Sequence, residues 1–323
     1  MNIKDQPSQE NSASTPLFSI VTAQLDQMNN SAEQVQLFKT GLPGFDEKFG
    51  GLGYGELIVV GGRPGMGKTQ LLVQLTLELS KTIPVLFFSY DLSQFHLTQR
   101  FMSAVSALSV NQIIYGQLSS EQRSKLSQDA LQLSAHQILL NETAHSSMEE
   151  FKALCKQHVE ADKVKVVIID YLQLLSERKI RQNRDAELSF ITRELKNLAK
   201  DLQICIVASS QLSRSLEMRG GDRKPFMSDL RESGAIEQNA DKVLFIYRPE
   251  YYGFMQDEYG NSTQGLVELI VAKNRTGHLG SVYFKRNATL SAYEPYDEPY
   301  HQFNFSPNRL DELKENTDPS PPF

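Results

Sequence analysis

Residues 62–69 have the sequence GRPGMGKT: a glycine, four residues, a second glycine, a lysine and a threonine. This spacing is the phosphate-loop pattern, in which backbone N–H groups turn inward to surround phosphate oxygens. Such a loop needs a buried strand before it and a helix after it. The apolar residues 56–62 and a helical pattern from Lys68 supply both. The motif therefore predicts an α/β fold that binds a nucleoside triphosphate at the end of one strand. A glycine-rich turn that matches by chance is the alternative.

Apolar runs of strand length recur along the chain and alternate with helical patterns. The pattern near 185–201 is the clearest, because its leucines and isoleucine recur at the spacing of one helix face. Continuous apolar strands separated by helices predict a mostly parallel twisted sheet with helices on both faces. Together with the phosphate loop, this pattern predicts a P-loop ATPase core. The predicted strands are residues 56–62, 84–90, 137–142, 164–170, 204–210, 242–247, 265–273 and 281–287.

The composition changes at both ends of the chain. Residues 1–37 are predicted to be a disordered N-terminus, apart from a short amphipathic helix at about 16–29. Residues 38–293 hold every predicted strand, so they are predicted to form one ATPase domain. Residues 294–323 form an acidic, proline-rich tail, in which we expect no fixed structure beyond about residue 305.

The net charge of −6 is concentrated at these two ends. Residues 36–293 carry 30 basic and 28 acidic side chains, so the middle of the chain is nearly neutral. This balance argues against a broad basic surface. It is compatible with contact to nucleic acid through one local basic loop.

Several classes of protein are disfavoured by the sequence. No apolar run approaches the length of a membrane span, and the N-terminus lacks the apolar core of a secretory signal. We therefore expect no contact with a membrane. The two cysteines, Cys155 and Cys205, lie in helical and apolar patterns that are typical of reduced thiols in a cytoplasmic protein. The six histidines show no spacing typical of metal ligands.

The phosphate loop predicts a site for ATP and Mg²⁺. Lys68 is expected to reach the β and γ phosphates as a point charge, and the Thr69 hydroxyl can ligate Mg²⁺. An acid at the end of another strand completes such a metal site, and Asp170 is the candidate, with a simple capping aspartate as the alternative. The residues predicted to bind the nucleotide are Gly62, Arg63, Pro64, Gly65, Met66, Gly67, Lys68 and Thr69.

Two polar residues follow other predicted strands and are candidates for catalysis. Asp91 follows residues 84–90 and is expected to orient or deprotonate the attacking water. The alternative is a helix cap, since the sequence YDLS suits that role as well. Gln211 follows residues 204–210 and is expected to contact the γ-phosphate through its amide.

Five segments occur in a fixed order: GRPGMGKT, VVIIDYLQLL, ASSQLSRSLEMR, SDLRESGAIEQNAD and AKNRTGHLG. Together they resemble the RecA-like motor domain of the DnaB-type replicative DNA helicases, over roughly residues 38–293. DYLQL and DLRESG carry the most weight, because general ATPases do not share them. The resemblance implies a RecA-like core in a ring, usually a hexamer, with ATP at the subunit interfaces. It also implies single-stranded DNA in the central channel and unwinding of the 5′-3′ type.

The resemblance also implies roles for individual residues. Gln211 corresponds to a glutamine that couples nucleotide state to the DNA loops. Lys273 and Arg275 correspond to basic side chains that reach the ATP of the neighbouring subunit and act in catalysis there. Three residues of DLRESG correspond to a channel loop that contacts the DNA backbone: Arg231, Glu232 and Gly234. Considered by itself, this polar segment is equally typical of a solvated loop and a short surface helix.

Two departures from the family pattern affect these expectations. The family has a glutamate where this chain has Asp91, whose side chain is one methylene shorter, so reduced turnover is expected. The family also carries a helical N-terminal domain that contacts primase. Only about 35 residues precede the motor domain here, and the predicted helix at 16–29 would correspond to the linker helix that docks on a neighbouring subunit.

Three functions are compatible with these patterns. The leading one is an ATP-driven, ring-forming translocase on single-stranded DNA. The second is a DNA-dependent ATPase without processive unwinding: a loader, a recombination mediator or a regulator of the cell's own helicase. The third, a signalling ATPase that does not bind DNA, is disfavoured by DLRESG and KNRTG. The acidic C-terminus TDPSPPF resembles the tip of bacterial single-stranded DNA-binding proteins, which suggests a replication or recombination partner protein. A solubilising tail is the alternative.

Overall fold

The computed structural model describes residues 17–19, 21–22, 37–142, 147–177, 184–230, 234–256 and 260–296. The predicted N-terminal helix is helical at 17–19 and 21–22, and the rest of that prediction lies outside the described residues. Arg231 and Glu232 also lie outside them, as does the tail from residue 297 onward.

In the described residues, nine strands form one sheet in the order β3-β2-β4-β5-β1-β6-β7-β8-β9. The first six strands of this order, β3-β2-β4-β5-β1-β6, pair in parallel, and the remaining pairs, β6-β7, β7-β8 and β8-β9, are antiparallel. The eight predicted strands are confirmed, and β9 is a ninth that the apolar pattern did not predict. The strands are β1 Leu57–Gly62, β2 Val85–Ser89, β3 Ile138–Asn141, β4 Val166–Asp170, β5 Cys205–Gln211, β6 Lys242–Tyr247, β7 Leu266–Asn274, β8 Gly280–Arg286 and β9 Tyr293–Pro295.

Helices connect these strands across both faces of the sheet. The α-helices of the described residues are α1 Phe45–Phe49, α2 Lys68–Leu79, α3 Gln94–Ser106, α4 Val110–Ile114, α5 Ser120–Gln132, α6 Met148–Asp162, α7 Arg184–Leu202, α8 Ser215–Met218 and α9 Gly234–Asn239. Short 3₁₀ helices lie at Leu133–Ala135, Leu172–Leu174, Met227–Asp229 and Pro249–Tyr252. None of the described helices is long and apolar enough to cross a membrane.

The sheet has a hydrophobic core on each face. Alternate residues of β1 point to opposite sides, so Ile58 packs with α2 and α3 while Val59 packs with α6 and α7. The predicted stripe of α7 faces the second core, in which Leu188, Ile191, Leu195 and Leu198 are buried. Cys155 and Cys205 are buried free thiols. The prediction of a mostly parallel sheet covered on both faces is confirmed.

Strand register determines which residues share an edge of the sheet. At the carboxyl edge, Gly62 of β1 pairs with Gln211 of β5, and Ser89 of β2 pairs with Asp170 of β4. The loops that leave β1, β2, β4 and β5 therefore emerge together.

Candidate functional site

The loop between β1 and α2 has the backbone that its glycines predict. Gly65 and Gly67 have positive φ values of 78° and 104°, which side-chain-bearing residues rarely adopt. At Gly67 a Cβ would also collide with the Tyr293 hydroxyl. The N–H groups of Gly65, Gly67, Lys68 and Thr69 donate to no acceptor within the described part of the chain. They are available to phosphate oxygens at the positive end of α2, whose first turn has no acidic residue.

Two residues from the far end of the domain hold this loop from outside. Arg248 donates to the Gly65 carbonyl at 2.8 Å, and the Tyr293 hydroxyl donates to the Gly67 carbonyl at 3.0 Å. Sequence reasoning missed both, because no local pattern connects residues 183 and 226 positions apart. Tyr293 begins β9, so the ninth strand supports the phosphate loop directly.

The loop forms one wall of an open cavity of about 440 Å³. The structure brings five of the predicted catalytic and metal-binding residues to this cavity: Lys68, Thr69, Asp91, Asp170 and Gln211. Of the predicted loop, Pro64, Gly65 and Gly67 also line it, whereas the Met66 side chain is buried in the core. Lining residues that the sequence did not reveal are Gln70, Arg100, Tyr171, Arg286, Leu290 and Tyr293.

The Lys68 side chain lies over the loop inside this cavity. Its ammonium group donates to the carbonyls of Gly62 at 2.8 Å and Arg63 at 3.1 Å. Burial lowers the pKa of Lys68, and the charge of Arg63 lowers it as well, while Asp170 and Asp91 raise it; together these effects bring the pKa to about 8. The lysine is thus close to losing its charge at mildly alkaline pH.

This pKa predicts a pH dependence of ATP binding. Phosphates favour the charged lysine, so affinity is expected to be constant below about pH 8 and to fall by up to about tenfold per unit above it. The fall arises because the bound state must then take up a proton. Titration of a fluorescent ATP analogue between about pH 7.5 and 9.5 measures it. Lys68→Met, which cannot titrate, should bind weakly without this dependence, and constant wild-type affinity over the range would contradict the assignment.

Thr69 and Asp170 form a pair of oxygen ligands next to Lys68. The Thr69 hydroxyl donates to one Asp170 oxygen at 2.7 Å, and the Ser209 hydroxyl donates to the other. Mg²⁺ prefers such hard oxygen donors and keeps several waters and phosphate oxygens besides. The pair fits a magnesium site of this kind. No group of three or more acidic, histidine or cysteine side chains within the described ranges forms a metal cage of its own.

Asp91 lies just past β2, exposed at the mouth of the cavity. Its carboxylate accepts no hydrogen bond from another described residue, whereas Ser93 caps α3 by accepting from the N–H of His96. The capping role considered for Asp91 therefore belongs to Ser93. The carboxylate is close enough to Lys68 to influence the pKa of its amine.

Substitution of Asp91 tests whether this carboxylate serves hydrolysis. Asp91→Asn should lower turnover by about 10² to 10⁴-fold without weakening ATP binding, because a general base contributes about that much. Asp91→Glu should raise turnover above the wild type if the shorter side chain limits the rate. Steady-state ATPase rates and nucleotide affinity measure both. Unchanged turnover in Asp91→Asn would remove Asp91 from the mechanism.

Gln211 lies between two cavities. Besides the nucleotide cavity, it lines a second cavity of about 380 Å³ to which Arg184 and Arg214 contribute. The predicted loop residue Arg63 points into this second cavity rather than the first. Its guanidinium is buried, donates to the Leu212 carbonyl at 2.8 Å and pairs with Glu217 at 2.7 Å. Arg63 therefore braces the segment that follows Gln211.

Lys273 and Arg275 lie at the opposite edge of the sheet from the phosphate loop. Lys273 pairs with Val243 at the start of β6, and the adjacent Lys242 pairs with Ile58 of β1. Gly62 lies four residues further along β1 than Ile58, a distance of about 13 Å. The structure therefore does not bring this basic pair to the cavity of its own chain.

Gly234 begins α9, directly after residues 231–233, which lie outside the described ranges. It is exposed, and an added Cβ would meet no atom within 4 Å. A shallow cavity of about 500 Å³ is lined by both Gly234 and Lys273. Gly234, the described residue of the segment considered for DNA binding, is thus close to Lys273.

Comparisons with known proteins show which family the chain resembles. The family model described as the DnaB-like helicase C terminal domain matches residues 38–295. The replicative DNA helicase DnaB of Buchnera aphidicola subsp. Baizongia pistaciae is 32% identical over 306 residues, covering 92% of this chain and 65% of that protein. The replicative DNA helicase DnaC of Bacillus subtilis is 33% identical over 261 residues, covering 80% of this chain and 56% of that protein. The chain thus spans roughly three fifths of the length of these relatives.

Solved structures show the same fold. One of them, an isolated ATPase domain, matches with a TM-score of 0.79 at 26% identity, covering 88% of this chain and 100% of that one. A second match is the structure of a DnaB-like replicative helicase, a study that also describes its interactions with primase. It has a TM-score of 0.76 at 26% identity and covers 90% of this chain and 69% of that one. The predicted RecA-like P-loop core and the family resemblance are both confirmed. The chain belongs to the DnaB-like helicase C-terminal domain family.

Proposed function

We propose that this chain is the motor of an ATP-driven, ring-forming helicase that moves along single-stranded DNA during replication. The observation that carries the proposal is the shared cavity of Lys68, Thr69, Asp91, Asp170 and Gln211, in a chain of this family. Translocation is of the 5′-3′ type in this proposal, and the motor comprises residues 38–293. In this proposal the protein works in the cytoplasm and is associated with the nucleoid while it is bound to DNA.

The cavity suits the binding of ATP through its phosphates. The N–H groups of the loop and the ammonium of Lys68 would meet the β and γ phosphates. Thr69 and Asp170 would hold Mg²⁺, which supplies positive charge that offsets the phosphate charge. Asp170 is itself positioned by Ser209, so its carboxylate is fixed before the nucleotide arrives.

Asp91 and Gln211 have complementary roles in hydrolysis. The exposed Asp91 carboxylate would orient the attacking water and accept its proton on a carboxylate oxygen. Gln211 would contact the γ-phosphate with its amide. Because Gln211 also lines the second cavity, a movement of its side chain on loss of that phosphate would change the contacts of the segment after Gln211, which Arg63 binds through the Leu212 carbonyl.

The position of the basic pair supports a ring assembly. Lys273 and Arg275 cannot serve their own loop across the length of β1, but the neighbouring subunit of a ring can present its loop to them. There they would stabilise charge on the γ-phosphate as it leaves. A homo-oligomer, the hexamer that the family resemblance implies, is therefore part of the proposal.

The segment 231–234 is proposed to contact DNA. Arg231 and the Gly234 N–H would bind phosphates and Glu232 would line the channel beside them, contacts that are independent of base sequence. A motor that must pass any sequence needs contacts of this kind. A replication or recombination partner protein is also part of the proposal, and it would bind the acidic C-terminus TDPSPPF.

A second candidate is a DNA-dependent ATPase that does not unwind processively, such as a loader, a recombination mediator or a regulator of another helicase. Asp91 favours this candidate, since it is exposed and one methylene shorter than the glutamate of the family pattern. Slow ATP hydrolysis would suit an assembly that changes between nucleotide-bound states on DNA rather than one that moves along it.

Unwinding of a forked duplex under single-turnover conditions separates the two. The helicase should release the displaced strand with ATP and Mg²⁺, and single-stranded DNA should stimulate its ATPase activity. DNA stimulation without strand release would support the second candidate. An ATPase rate indifferent to DNA would contradict both.

A further inference from the structure

We propose that Asp241 is a positioning residue: it holds Arg275 in the orientation in which it can reach the nucleotide of the neighbouring subunit. Asp241 does this as part of a socket at the C-terminal end of α9. The socket consists of the Glu237, Gln238 and Ala240 carbonyls and the Asp241 carboxylate. The inference rests on the proposed function, since it requires Arg275 to act on a neighbour.

The two oxygens of the Asp241 carboxylate have different partners. Oδ2 accepts from the Leu57 N–H at 2.8 Å and from the Lys196 ammonium at 2.7 Å. Oδ1 faces the Arg275 guanidinium at 3.4 Å. One oxygen therefore fixes Asp241 to the start of β1 and to α7, and the other is directed to the arginine. The Asp241 side chain is only 8% exposed, so its orientation is set by these bonds.

The C-terminal end of α9 supplies the rest of the socket. Arg275 donates to the Gln238 carbonyl at 2.5 Å, and its own N–H donates to the Asp241 carbonyl at 2.9 Å. Lys273 donates to the carbonyls of Glu237 and Ala240. These carbonyls belong to the negative end of the helix, where a cation is favourable.

The socket leaves the basic pair with unmatched positive charge. Asp241 is shared among Lys196, Arg275 and the nearby Lys273, and the charge of Glu237 also acts on Lys273, so three cations face two carboxylates. Burial and the charge of Arg275 lower the pKa of Lys273. The Arg275 side chain is nevertheless 45% exposed, so an anion on a neighbouring subunit can approach it.

Helix α9 also connects the basic pair to Gly234. α9 has six residues and a length of about 9 Å, with Gly234 at one end and the socket at the other. A movement of Arg275 toward a phosphate changes the bonds at the end of α9. The other end of α9 directly follows residues 231–233.

Asp241→Asn tests the positioning role. The amide can keep its oxygen on Leu57 and Lys196 while it loses the negative oxygen that faces Arg275. We expect turnover to fall by about 10 to 100-fold with KM for ATP unchanged, because misplacement of a catalytic group by about 1 Å has an effect of that size. Lys200→Met is the matched control: it removes an exposed lysine from the same helix, α7, and contacts neither oxygen of Asp241, so turnover should stay close to wild type. If the asparagine variant does not fold, Asp241→Glu replaces it: the carboxylate keeps its charge but lies one methylene further from the backbone, so Arg275 is displaced and turnover should fall.

Mixing with Lys68→Ala subunits distinguishes positioning from a structural role. Asp241→Asn subunits keep an intact phosphate loop, and Lys68→Ala subunits keep an intact basic pair, so mixed rings should regain turnover. Arg275→Ala mixed with Lys68→Ala is run in parallel. Recovery with Arg275→Ala but not with Asp241→Asn would overturn the role of Asp241 and leave the proposed function standing. Recovery with neither, in rings shown to exchange subunits, would overturn both, and wild-type turnover in Asp241→Asn alone would overturn the positioning role.

Discussion

Arg275→Ala is expected to hydrolyse ATP about 10³ to 10⁵ times more slowly than the wild type while binding it almost normally. An arginine supplied from outside a subunit stabilises charge that develops only as the phosphoryl group leaves, so its loss affects the chemical step rather than binding. Pre-steady-state ATPase rates and nucleotide affinity measure the two effects separately. Arg193→Ala, which removes an exposed arginine from α7, is the matched control and should leave both unchanged.

The position of Arg275 allows a second test of the same prediction. Mixed with Lys68→Ala, the inactive Arg275→Ala should regain part of the activity, since an intact loop on one subunit can then face an intact arginine on the next. A mixture as inactive as its parts, with subunit exchange demonstrated, would argue that catalysis does not cross the interface. A strong loss of ATP affinity in Arg275→Ala would show instead that the arginine contributes to the binding of ATP before the chemical step.

Lys68→Ala is expected to reduce ATP hydrolysis to background, a loss of about 10³-fold or more. The alanine removes the ammonium group that lies over the loop, where it would meet the β and γ phosphates. The fold should survive, because the ammonium donates to two loop carbonyls that border an open cavity and can bond to water. Lys81→Ala removes an equal charge from an exposed site near the end of α2 and should hydrolyse ATP normally. Near wild-type hydrolysis by a folded Lys68→Ala would show that the nucleotide site lies elsewhere.

The strands and the phosphate loop could be predicted because their causes are local. Buried parallel strands are continuously apolar, and Gly65 and Gly67 of the loop occupy backbone conformations that other residues avoid. The edge strand β9 could not be predicted, because Tyr293–Pro295 is too short to show a period of two. Its importance arises from a single hydroxyl that contacts Gly67, a contact that depends on the finished sheet.

The sequence predicted that three of the candidate residues lie close together, but not where the basic pair lies. Asp91, Asp170 and Gln211 each follow an apolar strand, so parallel pairing alone brings them to one edge. The location of Lys273 and Arg275 at the other edge depends on strand order and on the antiparallel pairing of β7 with β6, neither of which the sequence specifies. The capping role of Ser93 likewise depended on the residue at which α3 begins.

The separation of the phosphate loop and the basic pair along β1 has a consequence for activity at low protein concentration. In the proposed assembly each complete site belongs to a contact between two chains, so an isolated chain has none. An open row of subunits always ends with one loop that lacks a basic pair and one basic pair that lacks a loop, and only closure joins them. The rate per subunit should therefore fall on dilution below the dissociation constant of the assembly, and recover when the protein is concentrated again.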